Sequence, residues 1–503
     1  MTYTSFAFYI FVILILVLYY IMPLQARWGI LLAGSIIFYF IVYKTGWWII
    51  LGTIILSYCA GIFLQWLTST YKDKAHRIIQ KINLHIKTSK KFTVKKLKGI
   101  IFIISIVITV FPWFIIKNSN FIIVYILHME GISWVIPMGI SFYTLQIVSY
   151  LSDIYTGKIK AQKNFAKYTL FILFFPQIVQ GPIPRYSQLG SQLYTGHLFN
   201  EDTFVKGLHM VLWGFFLKFM IADKAAVIVD KVFGEPEAYT GCYVLVAGIL
   251  YSIELYTDFL ACVKISQGVA ALFGITLVNN FMHPYFATSI KDFWRRWHIS
   301  LSSWLRDYIY IPLGGSRKGK NRKNLNLIIT FTVSGIWHGA GYKFIFWGLM
   351  HAVYQIAGET FKPLQDKIYS SLKLPESIKK VVQQAGVFFL VMCAWIVFRA
   401  DRLKTGISML ENMFSVHNVW IFFNDEIFAL GLNWKEWIVL IISIFIFITI
   451  GKKQEENTSI RQDILQKPVY IRWAVYIFAI TGIMVFGTYG FGFNAQDFIY
   501  GGF

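Results

Sequence analysis

The sequence predicts an all-α, multi-pass membrane protein, and three observations carry that prediction. Of its 503 residues, 56% are apolar and 14% are charged, whereas an average soluble domain has about 25% charged residues. The apolar residues fall in long runs, near 5–22, 28–43, 47–66 and 98–116 and in several later stretches. A bilayer-crossing helix needs ~20 such residues. The basic residues fall between the runs: Lys and Arg total 47 against 25 Asp and Glu, a net charge of +22. This distribution excludes a soluble enzyme, a disordered chain and a singly anchored protein. The positive surplus reads as loops on the inner side of a membrane, not as a nucleic-acid surface.

The runs can be taken in order. Met1 to Ser5 carries no basic residue, and the apolar run continues to Ile21 without a small-residue cleavage site. It is therefore expected to be a first span, not a signal peptide. After two more runs, Tyr71 to Lys98 holds ten Lys and Arg against one acid, Asp73. The positive-inside rule places that stretch in the cytoplasm and the N-terminus outside. Runs at 98–116 and 133–152 lead to Lys158, Lys160, Lys163 and Lys167, again inside. Phe171 to Ile183 contains Pro176, Gly181 and Pro182, with Pro184 next. Proline interrupts helices, so this reads as a broken or re-entrant segment, tolerated at membrane depth where protein buries it. Further spans are expected near 205–222, 240–257, 325–337, 342–358, 383–399, 434–451 and 471–489. At ~20 residues each, the total is about 11–13 membrane helices. Cys59, Cys242, Cys262 and Cys393 form no C-x-x-C pair and read as small buried residues. No internal repeat supports a transporter, although the broken segment keeps a transporter or channel as an alternative from another class.

The region 279–351 departs from this pattern. Asp292-Phe293-Trp294-Arg295-Arg296-Trp297-His298-Ile299-Ser300-Leu301-Ser302, then Trp304-Leu305-Arg306-Asp307-Tyr308, is too polar for lipid and too aromatic for a solvated loop. An amphipathic helix at the cytoplasmic surface accounts for most of it, with Asp292 and Arg296 paired at i,i+4. His338, in Trp337-His338-Gly339-Ala340-Gly341, lies between apolar runs. An ionisable group at membrane depth is a functional candidate because burying it is costly. Ser334, one turn earlier, is placed either to orient it or to pack. His351 is thirteen residues after His338 and is not expected on the same helical face. No histidine pair has metal-binding spacing, and no phosphate-binding glycine pattern occurs.

These residues resemble the membrane-bound O-acyltransferase (MBOAT) family, in the branch typified by alginate O-acetylation. The run Asp292–Ser302 with Arg306-Asp307-Tyr308 and Pro312-Leu313-Gly314-Gly315 carries the resemblance, as do Trp337-His338-Gly339-Ala340, Gly139-Ile140-Ser141-Phe142, Phe175-Pro176-Gln177, Gly181-Pro182-Ile183 and Phe398-Arg399-Ala400. It covers about 130–415. It implies helices around a central tunnel, with N-terminal membrane helices at 1–130, a catalytic core at 131–400 and a C-terminal membrane extension at 401–503. One segment departs from the family pattern. Tyr256-Thr257-Asp258-Phe259-Leu260-Ala261-Cys262-Val263-Lys264 keeps Asp258 and Phe259 but lacks the Ser-Gly pair, and Lys264 stands where the family has an acid.

The resemblance implies transfer of an acetyl group from cytoplasmic acetyl-CoA, as a substrate and with no bound cofactor or metal, to an acceptor across a bacterial cytoplasmic membrane. His338 would be the general base, and His298 would orient the donor or stabilise the oxyanion. Asp292, Trp294, Arg295, Arg296, Trp297, Ser302, Arg306, Asp307, Tyr308 and Trp337 would bind or orient substrate. Arg317, Lys318, Lys320, Arg322 and Lys323 either meet the donor's phosphates or form an ordinary inside-positive loop. The implied partner is a secreted or membrane-anchored serine acetyltransferase or esterase-like protein, with an exopolysaccharide or cell-wall glycan as final acceptor. D-alanyl transfer to teichoic acid is the alternative within the family.

Overall fold

The computed structural model describes residues 2–67, 93–132, 134, 136–456 and 458–489. Residues 71–92 of the basic stretch expected in the cytoplasm lie outside the described residues. Regular structure among the described residues is helical throughout. The helices form two compact units, one of residues 1–208 with 266–278, the other of 209–265 with 279–503.

Seven described helices are long and apolar enough to cross a bilayer: Leu24–Val42, Trp47–Trp66, Val94–Val124, Cys242–Leu272, Glu376–Arg399, Trp434–Glu455 and Val469–Phe486. The count of 11–13 from sequence rests on every apolar run, and several runs fold into something shorter or more polar. Phe6–Ile21 has only 16 residues. Within the run expected at 133–152 the described helix is Ile140–Thr156, and Gly139 precedes it in the left-handed region at φ 73°. Gly319–His338 spends its first turns on Lys320, Asn321, Arg322, Lys323 and Asn324. Tyr342–Ser371 has a charged, exposed C-terminal half.

In the first unit the Pro-rich segment is broken, as its composition predicts. Phe165–Leu173 ends at Phe174, and a single turn, Phe175–Ile178, follows with Pro176 in its first positions. A missing N–H there removes no intrahelical bond. Residues 168–178 are buried, so protein surrounds the irregular backbone. A Cβ on Gly181 would lie 2.7 Å from both Gln177 Cα and Ser266 Oγ. Cys59, on Trp47–Trp66, is exposed rather than buried, and it corrects the reading of all four cysteines as interior.

In the second unit, Gly319–His338 and Tyr342–Ser371 form a tight hairpin through Gly339-Ala340-Gly341. Two glycines set how closely they approach. A Cβ on Gly335 would strike the Phe344 carbonyl oxygen, and one on Gly348 would strike the Phe331 carbonyl oxygen. Small residues at such contacts let helix backbones meet. Gly348→Ala is expected to destabilise the protein by about 1–3 kcal/mol through overpacking. Gly358→Ala, on the same helix but with nothing within 4 Å, should be neutral or stabilising by about 0.5–1 kcal/mol. Thermal unfolding in detergent distinguishes the two.

Candidate active site

The site is built in the second unit. Ser289 Oγ accepts the Asp292 N–H and starts the short helix Ile290–Arg296. That helix stops at Trp297, and His298 takes φ 44° and ψ 54° before Ile299–Leu305 begins. The single amphipathic helix suggested by the sequence is thus two short helices broken at the histidine. A left-handed conformation costs a non-glycine residue roughly 1–2 kcal/mol, so the surroundings must hold it.

Asn280 does so. Its Oδ1 accepts from the Ser300 N–H at 3.0 Å and from Ser300 Oγ at 2.8 Å, and lies 3.2 Å from His298 Nδ1. A backbone N–H can only donate, so the atom facing it is the amide oxygen. The same oxygen then makes Nδ1 of His298 the protonated nitrogen and leaves Nε2 with its lone pair. Burial, with His338 as the second cause, pushes the His298 imidazole well below its ordinary range. His298 is therefore neutral at pH 7. A neutral Nε2 accepts protons or hydrogen bonds, which suits orienting a donor; stabilising an oxyanion would require it to be protonated.

His338 is the last residue of its helix and is buried. The Trp337 ring lies 4.8 Å from the His338 ring and 6.0 Å from the His298 ring, so one indole spans both histidines. Trp347 and Phe398 stand edge-on to His338 at 5.0 and 5.4 Å. Trp347 in turn stacks on Trp395 at 5.6 Å. Among the described residues, the indole N–H groups of Trp347 and Trp395 are buried without a hydrogen-bond acceptor. Ser334 Oγ is also buried without a hydrogen-bond partner, so Ser334 packs rather than orients His338.

The other candidates divide. Trp294 and Trp297 are buried in the aromatic cluster, Trp297 5.1 Å from Trp395. Arg296 pairs with Asp292 at 2.8 Å, as their spacing predicts, and with Glu455 at 2.6 Å. Ser302 Oγ bonds the Trp297 carbonyl. Arg295 is exposed, and exposed Arg306 pairs with neighbouring Asp307 at 2.9 Å. Tyr308 packs on Trp304. His351, set aside in the sequence reading, belongs with the cluster. Its ring lies 5.0 Å from Trp347, one turn earlier on the same helix, and its Nδ1 accepts the Trp294 indole N–H at 3.2 Å. Trp347 and His351 are four apart on one helix, a same-face spacing that was available in the sequence.

The departure at 260–264 leaves intact what the site uses. Phe259 stands edge-on to His298 at 4.8 Å. Asp258 receives Lys218 Nζ at 2.7 Å, and Lys218 also meets Asp223 at 2.9 Å. Lys218 lies in the π-helical segment Phe216–Ala222, whose hydrogen bonds join residues five apart, and this brings Lys218 and Asp223 together. Removing one member of such a buried set costs about 3–5 kcal/mol.

The membrane-bound O-acyltransferase family model matches residues 158–398. The chain is 37% identical over 280 residues to the probable alginate O-acetylase AlgI of Pseudomonas syringae pv. tomato, covering 56% of this chain and 52% of that protein. It is 32% identical over 327 residues to the peptidoglycan O-acetyltransferase of Helicobacter pylori, covering 60% and 61%. It is 30% identical over 273 residues to the teichoic acid D-alanyltransferase of Bacillus subtilis, covering 51% and 67%. The chain spans about half the length of the alginate O-acetylases it matches.

Asn280→Ala should free the His298 tautomer and lower turnover about tenfold, the equivalent of one lost hydrogen bond. Asn280→Asp places a carboxylate at Nδ1–H and stabilises the imidazolium. The pKa of His298 then rises, and the inactive protonated form appears at higher pH. The acid limb of the pH–rate profile should shift upward, while in the wild type protonation of His298 falls below its ordinary pH 6.5.

Proposed function

The chain belongs to the membrane-bound O-acyltransferase family, and on that premise we propose that it moves an acetyl group from acetyl-CoA to a hydroxyl acceptor on the far side of the bacterial cytoplasmic membrane. The observation that carries the proposal is the pair of buried histidines, His298 and His338, joined by one indole. His338 removes the acceptor's hydroxyl proton as the oxygen attacks the thioester carbonyl. The tetrahedral intermediate collapses with loss of the CoA thiolate, which takes up the proton, and an ester bond replaces the thioester. The lone pair on His298 Nε2 orients the reactants. The buried indole N–H groups of Trp347 and Trp395 supply donors for an acyl carbonyl oxygen beside His338.

The acceptor is the serine hydroxyl of a secreted or membrane-anchored acetyltransferase or esterase-like partner, which passes the group to an exopolysaccharide or cell-wall glycan. Similarity to an alginate O-acetylase and to a peptidoglycan O-acetyltransferase supports acetate as the cargo. Similarity to a teichoic acid D-alanyltransferase supports a second reading, D-alanyl transfer, at lower identity.

His338→Ala is expected to reduce ester-linked acetate on the cell-surface glycan by about 10²–10⁴-fold, the contribution of a positioned general base. The measurement is alkali-released acetate from cells expressing the chain with its genomic neighbours. Wild-type acetylation in the variant sinks the assignment of His338. Released D-alanine in place of acetate supports the second reading.

A further inference from the structure

We propose that the helical segment Phe216–Gly234 is a rail that spaces the two histidines, with Lys218 and Asp230 as its positioning residues. The proposal rests on the acyl-transfer reading above. The rail consists of the π-helical Phe216–Ala222 and the directly following Asp223–Gly234. Lys218 and Asp230 carry opposite charges about three turns apart on it. Each holds a residue on a different helix. Lys218 grips Asp258 of Cys242–Leu272 at 2.7 Å. Asp230 accepts Arg399, the last residue of Glu376–Arg399, at 2.6 Å.

Each gripped residue is adjacent in sequence to an aromatic that walls a histidine. Phe259 follows Asp258 and stands 4.8 Å from the His298 ring. Phe398 precedes Arg399 and stands 5.4 Å from the His338 ring. The guanidinium of Arg399 also lies 5.6 Å from the Phe233 ring, on the rail itself. Buried Glu254, one turn before Asp258, is within electrostatic reach of both ion pairs. A hydrogen-bonded helix changes length little, so two grips on one helix fix two aromatic walls at a set separation, and with them the imidazoles between which the acyl group must pass.

The Lys218 grip is sealed, whereas both members of the Asp230–Arg399 pair are about one-third exposed, at 36% and 32%. The second pair can therefore be altered without stranding a fully buried charge. The assay uses full-length protein in membranes co-expressing its genomic neighbours, with acetyl-CoA as the probe and CoA thiol release as the readout, normalised to detergent-extractable, monodisperse protein. Arg399→Asp should lower kcat by up to about 10²-fold, the scale of a 1 Å misplacement, with little change in KM for acetyl-CoA. The exchange Asp230→Arg with Arg399→Asp should recover most of that loss.

If Arg399→Asp does not fold, Arg399→Lys and Arg399→Gln make the same comparison: Lys keeps the attraction and should keep kcat, and Gln should not. Wild-type kcat per folded molecule in Arg399→Asp or Arg399→Gln overturns the rail, as does a double variant no better than the worse single one. His338→Ala, run alongside, separates the two readings. If it retains wild-type thiol release, the assignment of His338 fails; if the wild type releases none, the acetyl-CoA reading fails. If it is inactive while the Arg399 variants are not, only the rail fails.

Discussion

An ionisable group inside an apolar helical protein has no water to fall back on, and the arrangement of the second unit follows from that constraint. Lys218 is almost fully buried and is held by two carboxylates. His298 is neutral, with one ring nitrogen committed to Asn280. His351 receives an indole N–H. In a low-dielectric interior each of these contacts is strong and each missing partner is expensive. Lys218, His298 and His351 each sit in such a set, and the sets tie together the helices that carry them.

Aromatic rings supply the rest of the scaffold. Trp294, Trp297, Trp337, Trp347, Trp395, Phe259 and Phe398 surround the histidines with large rigid surfaces that bring few charges of their own. Such walls exclude water from the space around the imidazoles. The left-handed kink at His298 fits the same pattern. Its cost is local, and the Asn280–Ser300 network that offsets it also selects the tautomer.

The departure from the family pattern at 260–264 can be understood in these terms. Asp258 and Phe259, which directly precede the changed positions and keep the family pattern, are the residues that contact Lys218 and His298. A change at Leu260 to Lys264 therefore leaves the grip and the wall in place.

The sequence by itself determined the membrane class, the break at Pro176, the pairing of Asp292 with Arg296, and the two Trp-His motifs. Each is a local matter: run length, the missing N–H of proline, the i,i+4 spacing of a helix, or a charge placed where lipid-facing sequence avoids one. Only the tertiary structure decided which nitrogen of His298 carries its proton, that Ser334 packs rather than orients, that His351 joins the cluster, and that Lys218 and Asp230 each reach a different helix. Those outcomes depend on partners such as Asn280 with His298, Trp294 with His351 and Asp230 with Arg399, which lie 18, 57 and 169 residues apart. No helical or strand period links residues at such distances; folding brings them together, and burial makes losing such a partner costly.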